Sequence, residues 1–219
     1  MNYGETTLSL LTSHSSLLTP HFSLLTSHFS LDSSLLTRHL SLYSLLTCHF
    51  SLYSLLTFLS VLMALSLGTP APDFELFDQD KNKLTLSSYA GKKVVLVFFP
   101  AAFTGICKAE VCSFQAAIQR LNGMNAQVVA ISRDQPFANK AFATANGLEF
   151  PIGSDYLLNT ITAYDVLFEN FAGLPGYTTS SRATFVIDST GKIAFVHVTE
   201  NPGVEPNYDE IYAAVEATA

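Results

Sequence analysis

The sequence predicts an α/β sandwich with a mixed central sheet over residues 63–219. Apolar runs typical of buried strands alternate there with segments that carry an apolar stripe at helical spacing. Near the C-terminus, two apolar segments flank the short polar turn 189–191, which predicts an antiparallel hairpin. We therefore expect one domain whose sheet contains both parallel and antiparallel strands.

The first half of this domain is expected to contain three strands and one long helix. PDFELFD and KLTLSS are short strands on either side of the polar turn 78–82, and KKVVLVFFP is a strand buried on both faces that ends at Pro100. The next helix has apolar residues at alternating spacings of four and three, and it should end near Asn122-Gly123. Its apolar stripe consists of Cys107, Val111, Phe114, Ile118 and Leu121.

The second half is expected to continue the alternation and to close with a helix. AQVVAIS is a further buried strand, and PFANKAFATANG is a helix that ends at Gly147. ITAYDVLF predicts a shorter helical stretch. RATFVID and KIAFVHV are the two strands of the hairpin, and YDEIYAAVEA is the amphipathic C-terminal helix.

Residues 1–62 differ in composition from the rest of the chain. They carry only three of the 29 charged side chains and repeat the unit Ser-Leu-Leu-Thr-x-His-x at irregular intervals. Structural repeats keep a fixed length because each unit stacks on the next, so we expect a low-complexity segment that is disordered or not native, with Met63 as the natural start. The apolar run 50–67 leaves a membrane anchor or a targeting segment as the alternative.

Charge and cysteine usage narrow the function classes. Residues 63–219 carry 10 Lys and Arg against 16 Asp and Glu, which argues against nucleic acid or an anionic membrane surface as the main partner. The three cysteines, Cys48, Cys107 and Cys112, form no CxxC pair and no zinc-site spacing. Reactive thiols in a reducing, cytoplasmic compartment are the expectation, with no metal and no phosphate-binding glycine loop.

Cys107 is the strongest candidate for a reactive side chain. It lies in the first turn of the helix after the buried strand, where unsatisfied N–H groups and the helix dipole favour thiolate over thiol. Thr104, three residues earlier, can cap the helix and also face a ligand on the sulfur. Pro100 ends the strand and removes a hydrogen-bond donor. From spacing alone, Cys107 is equally well explained as a small apolar residue on the buried stripe.

Pro100, Thr104 and Cys107 form the pattern Pro-x-x-x-Thr-x-x-Cys, which resembles the active-site signature of the peroxiredoxins. The resemblance extends over about residues 63–219, through APDFEL, FFPAAFTGICKAEVCSF, FPIGSD, RATFVID and ENPGVEPNY. It implies a thioredoxin-like fold and a thiol peroxidase that reduces hydrogen peroxide or organic hydroperoxides without metal, haem or flavin. It also implies recycling by thioredoxin or another thiol, and a homodimer, which is common in the family.

The resemblance implies a role for each matching residue. Cys107 matches the peroxidatic cysteine that becomes a sulfenic acid, Thr104 the hydroxyl that binds thiolate and peroxide, and Pro100 the residue that shields the pocket. Arg182 matches a guanidinium beside the thiolate, although its position alone would suggest a solvated residue that opens a strand. Glu110 matches an acidic residue that either orients this arginine or favours the first helical turn.

Cys112 leaves two recycling routes open. It follows Cys107 by five residues, about 7.5 Å along a helix and about 140° around it, so the pair can bridge only if the first turns unwind. The CxxxxC spacing resembles the bacterioferritin-comigratory type, in which the second cysteine resolves the first. The flanking sequence equally resembles the alkyl hydroperoxide reductase E type, which relies on an outside thiol. We favour Cys112 as the resolving residue.

Two further expectations complete the interpretation. A redox-sensing protein that signals through Cys107 oxidation, with little turnover, is the alternative function. His197 is a lone histidine on a predicted strand, and we expect it to be structural rather than catalytic.

Overall fold

The structure is a computed structural model that describes residues 65–218. The predicted low-complexity segment 1–62 and most of the apolar run 50–67 lie outside the described residues. The strands are β1 (Glu75–Phe77), β2 (Lys83–Thr85), β3 (Lys93–Phe98), β4 (Ala126–Ser132), β5 (Ile152–Ser154), β6 (Leu167–Phe168), β7 (Thr179–Ser180), β8 (Ala183–Ile187) and β9 (Ile193–Val198). The helices are α1 (Gly105–Ala116), α2 (Ile118–Gly123), α3 (Pro136–Asn146), α4 (Asn159–Ala163) and α5 (Tyr208–Ala217).

Seven strands form the predicted mixed sheet, in the order β2-β1-β5-β4-β3-β8-β9. Strands β3, β4 and β5 run parallel to one another, and β1-β2 and β8-β9 add antiparallel pairs at the two edges. The interior strand β3 is buried on both faces, as its continuous apolar run predicts. One hydrophobic core lies between one face of the sheet and helices α1, α3 and α5. A second core lies on the opposite face of the sheet.

The antiparallel register of β3 and β8 positions the site. It pairs Phe98, the last residue of β3, with Ala183, the first residue of β8. The chain therefore leaves β3 toward Pro100 directly beside the place where Arg182 enters β8. These two segments lie far apart in sequence, and the sheet register is what makes them neighbours.

One predicted strand and two predicted helices differ from the structure. KLTLSS is a strand only over β2, and its second half belongs to the 3-10 helix Leu86–Tyr89. The long helix is divided into α1 and α2 by Ala117, whose backbone leaves the helical region at φ −91° and ψ 1°. The apolar stripe stays buried across this break, so its periodicity could not reveal it. The predicted helix ITAYDVLF is wrong in its second half, because Asp165 adopts a left-handed conformation at φ 53° and ends the turn. The apolar residues that follow form β6, which pairs with β7.

Candidate active site

Cys107 lies at the positive end of α1, as the sequence predicts. Thr104 is the N-cap residue with an extended backbone, so Cys107 is the third helical residue. The cysteine is fully buried. The backbone N–H groups of a first helical turn have no partner within the helix and carry partial positive charge. The start of a helix is in general a favourable position for a negatively charged group.

The guanidinium of Arg182 joins this sulfur to two other groups. Its Nη2 atom lies 3.5 Å from the Cys107 Sγ and donates to the Pro202 carbonyl oxygen at 2.7 Å, and its Nε donates to the same carbonyl at 3.1 Å. Its Nη1 pairs with a carboxylate oxygen of Glu110. Arg182 is only 1% exposed, so a solvated residue at the start of a strand is the wrong interpretation. A planar fork with fixed partners holds one positive charge against the sulfur.

Glu110 is buried and shares that cation with Cys107. It lies beyond the first turn of α1 and contacts Arg182, so an interaction with the helix dipole is not its role. Its second carboxylate oxygen, Oε1, is buried without a hydrogen-bond partner in the described part of the chain. Burial raises the pKa of Glu110 to about 8, against the lowering effect of Arg182 and with a smaller raising effect from Glu205. The effect of burial therefore outweighs that of the Arg182 cation and favours the neutral form of Glu110.

Thr104 occupies the N-cap position but its hydroxyl makes no capping bond. It donates instead to the Ala101 carbonyl oxygen at 3.1 Å, within the loop that follows β3. Two residues that the sequence analysis missed hold the same loop. Asp134 accepts the Ala102 N–H at 2.7 Å, and the Thr179 hydroxyl donates to the carbonyl oxygen of the buried Pro100. Asp134 follows the C-terminal end of β4, the parallel neighbour of β3, and that position could have identified it.

A groove of about 500 Å³ reaches Arg182, whose guanidinium contacts the buried sulfur of Cys107. Thr104 and Arg182 line it, and the aromatic rings of Phe168 and Phe171 contribute apolar wall. Its lining residues include one charged side chain, that of Arg182. The groove can therefore accept a ligand whose small polar group lies at Arg182 and Thr104. An apolar part of the same ligand would extend toward the two phenylalanine rings.

Cys112 lies on the same helix as Cys107, and both thiols are free. It is half-buried, and its Sγ atom lies 3.9 Å from the side-chain oxygen of Asn146 on α3. Because α1 is continuous between the two cysteines, the folded helix holds them too far apart for a disulfide. The predicted need for unwinding before any bridge forms is consistent with this placement.

Of the remaining sequence candidates, Cys48 lies outside the described residues and His197 lies on a strand. His197 is half-buried in β9, where it is paired in register with Thr184. Residues 65–218 contain no group of three or more His, Cys, Asp or Glu side chains that could hold a metal ion. Over the same range, each helix is too short or too polar to cross a membrane.

Both the sequence and the fold of this chain are similar to those of known proteins. Residues 67–196 match the AhpC/TSA family. Alkyl hydroperoxide reductase E of Mycobacterium bovis is 39% identical over 142 residues, which cover 64% of this chain and 88% of that protein. A thiol peroxidase of Streptococcus sanguinis is 33% identical over 155 residues, covering 70% of this chain and 90% of the relative. The crystal structure of the peroxidoxin BcpB from Mycobacterium tuberculosis superposes with a TM-score of 0.62 at 29% identity, covering 70% of this chain and 97% of the other.

Proposed function

This chain belongs to the AhpC/TSA family of peroxiredoxins and is a thiol-dependent peroxidase, and we propose that Cys107 is its peroxidatic residue. The observation that carries the proposal is the contact between the Arg182 guanidinium and the Cys107 sulfur at the start of α1. A fixed cation and a helix N-terminus stabilise a thiolate, which is the nucleophilic form of cysteine. Related proteins named as peroxidases favour turnover over the redox-sensing alternative.

In the proposed reaction, the Cys107 thiolate attacks the terminal oxygen of a hydroperoxide. A sulfur–oxygen bond forms, the O–O bond breaks, and the sulfenic acid of Cys107 is left with the former hydroperoxide proton. The other oxygen leaves as alkoxide or hydroxide and takes a proton from solvent. Negative charge grows on this leaving oxygen, and the Arg182 guanidinium, which lines the groove, stabilises that charge.

We propose that Thr104 and Pro100 shape the substrate side of this site. Thr104 lines the groove and its hydroxyl oxygen can accept the O–H of the bound peroxide. Pro100 is buried in the loop, two residues after β3 ends, and, having no N–H, places no donor of its own there. Glu110 orients the Arg182 fork through their buried contact.

We propose that Cys112 resolves the sulfenic acid. After the first turns of α1 unwind, the Cys112 thiolate attacks the Cys107 sulfur and a disulfide forms. The S–O bond breaks, and the sulfenic oxygen leaves as hydroxide, which takes a proton from solvent to become water. A dithiol protein such as thioredoxin then reduces the Cys107–Cys112 disulfide and becomes a disulfide itself. A reducing, cytoplasmic compartment would keep such a partner available, and a homodimer is the proposed assembly.

Peroxide consumption with a dithiol reductant tests these assignments. The chain with Cys107→Ser should consume no peroxide, and Cys112→Ser should still be oxidised once but turn over slowly with thioredoxin. Full activity of Cys107→Ser would overturn the assignment of the peroxidatic residue. Unchanged turnover of Cys112→Ser would show that an outside thiol resolves Cys107.

A further inference from the structure

One peptide group in the active-site loop is bonded at both of its polar atoms. The N–H of Ala102 donates to the Asp134 carboxylate at 2.7 Å. The carbonyl of Ala101, in the same peptide bond, accepts the hydroxyl proton of Thr104 at 3.1 Å. The carboxylate and the hydroxyl are thus connected through a single planar unit, because the N–H and C=O of one peptide cannot rotate independently.

Asp134 is held in place by buried polar groups. Its backbone N–H donates to the Ser132 hydroxyl at 3.1 Å, and its carbonyl oxygen accepts the Asn139 amide at 3.2 Å. Asn139 also bonds the hydroxyls of Ser132 and Ser154, and all three side chains are almost completely buried. Buried, fully bonded networks of this kind fix one conformation. The carboxylate therefore meets the loop from a rigid base at the end of β4.

We propose that Asp134 is a positioning residue that fixes the direction of the Thr104 hydroxyl. It holds the peptide between Ala101 and Ala102 so that the carbonyl takes the Thr104 proton. Thr104 then presents only the lone pairs of its oxygen to the groove that it lines. In this orientation Thr104 accepts a hydrogen bond from the peroxide and donates none to the Cys107 sulfur. This differs from the thiolate contact that the family resemblance implies for Thr104.

The negative charge of the Asp134 carboxylate, on the N–H side of this peptide, strengthens the hydrogen bond that the carbonyl accepts from Thr104. A charge-assisted hydrogen bond polarises the peptide and makes its carbonyl oxygen a better acceptor. Without Asp134, the peptide can turn and the Thr104 proton is free to point into the groove, where it competes with the peroxide. The inference rests on the proposed function, because it concerns the residue that meets the same substrate.

The test is a double-mutant cycle on the rate of Cys107 oxidation by hydrogen peroxide, followed by quenching and mass analysis because the chain contains no tryptophan. Asp134→Ala should lower the rate about 10-fold, and Asp134→Asn, which keeps an oxygen acceptor, only about threefold. In a Thr104→Val background, Asp134→Ala should change the rate less than about twofold, since residues that act through one another are not additive. The exposed neighbour Gln135→Ala is the matched control and should match the unmodified chain.

Thiolate absorbance against pH provides the second readout. Asp134→Ala should leave this profile unchanged, because Asp134 acts on the hydroxyl and not on Arg182. Equal rate losses with and without Thr104 would overturn the proposal, as would a displaced thiolate profile. If Asp134→Ala does not fold, the same cycle with Asp134→Asn decides, and additivity there also overturns it. Failure of the unmodified chain to react with peroxide would instead refute the proposed function.

Discussion

Replacing Glu110 with glutamine tests how the buried Arg182 cation and burial together set the ionisation of Glu110, which shares that cation with Cys107. Glutamine keeps the shape of the side chain and an oxygen that can accept the Arg182 Nη1 hydrogen bond, but it cannot ionise. Burial raises the pKa of Glu110 from 4.5 to about 8 in the folded protein. At neutral pH the folded protein therefore holds a proton on Glu110 that the unfolded chain has already released.

The sign and size of the effect follow from this difference. A group that binds more protons in the folded state costs stability as the pH rises, so the penalty is absent below about 4.5 and grows until about 8. One pKa unit corresponds to about 1.4 kcal/mol, which gives a penalty of about 3 kcal/mol at pH 7. Glu110→Gln carries no such penalty. The stability of the variant relative to the unmodified chain should thus rise by about 3 kcal/mol between pH 4.5 and pH 7.

Urea denaturation at a series of pH values measures this difference directly. Glu169→Gln, which removes an exposed carboxylate, is the matched control against which the Glu110→Gln difference is compared. A flat difference for Glu110→Gln would contradict the reasoning. A difference that falls with rising pH would show that Arg182 outweighs burial and keeps Glu110 ionised.

Two further substitutions test the groups around the sulfur. Arg182→Met should lower the rate of Cys107 oxidation by roughly 100-fold, because the cation beside the sulfur is lost. An unchanged rate would remove Arg182 from the mechanism. Thr104→Val should lower the oxidation rate by about 100-fold, whereas Thr104→Ser, which keeps the hydroxyl, should stay within about fivefold of the unmodified chain. Rapid-mixing measurements with hydrogen peroxide compare the two variants. Equal losses of rate would mean that the hydroxyl of Thr104 is not required.

The local parts of the site could be predicted from the sequence because they depend on short-range geometry. A buried strand, a turn and a helix start within 15 residues, and this order alone places Cys107 at the helix N-terminus. The mixed sheet is confirmed, since strand periodicity and the hairpin turn specify it. The break at Ala117 could not be predicted, because the buried stripe continues across it.

The long-range contacts of the site could not be predicted from local sequence patterns alone. Arg182 was identified only through the family resemblance, because the register of β3 and β8 that brings it to Cys107 cannot be read from one segment. Pro202 contributes a backbone carbonyl, which any residue carries, so its identity gives no signal. Asp134 has a readable signal, its place after the strand next to β3, but its partner is again a backbone group.

Intact mass after one equivalent of hydrogen peroxide tests the central claim most directly. The full chain with Cys48→Ser is used, so that Cys107 and Cys112 are the only thiols. We predict the rapid loss of two hydrogens, with the Cys107 and Cys112 peptides joined, and the gain of one oxygen at Cys107 when Cys112 is also replaced by serine. An unchanged mass, or the same oxidation in a Cys107→Ser variant, would contradict the assignment of Cys107 as the peroxide-reducing thiol.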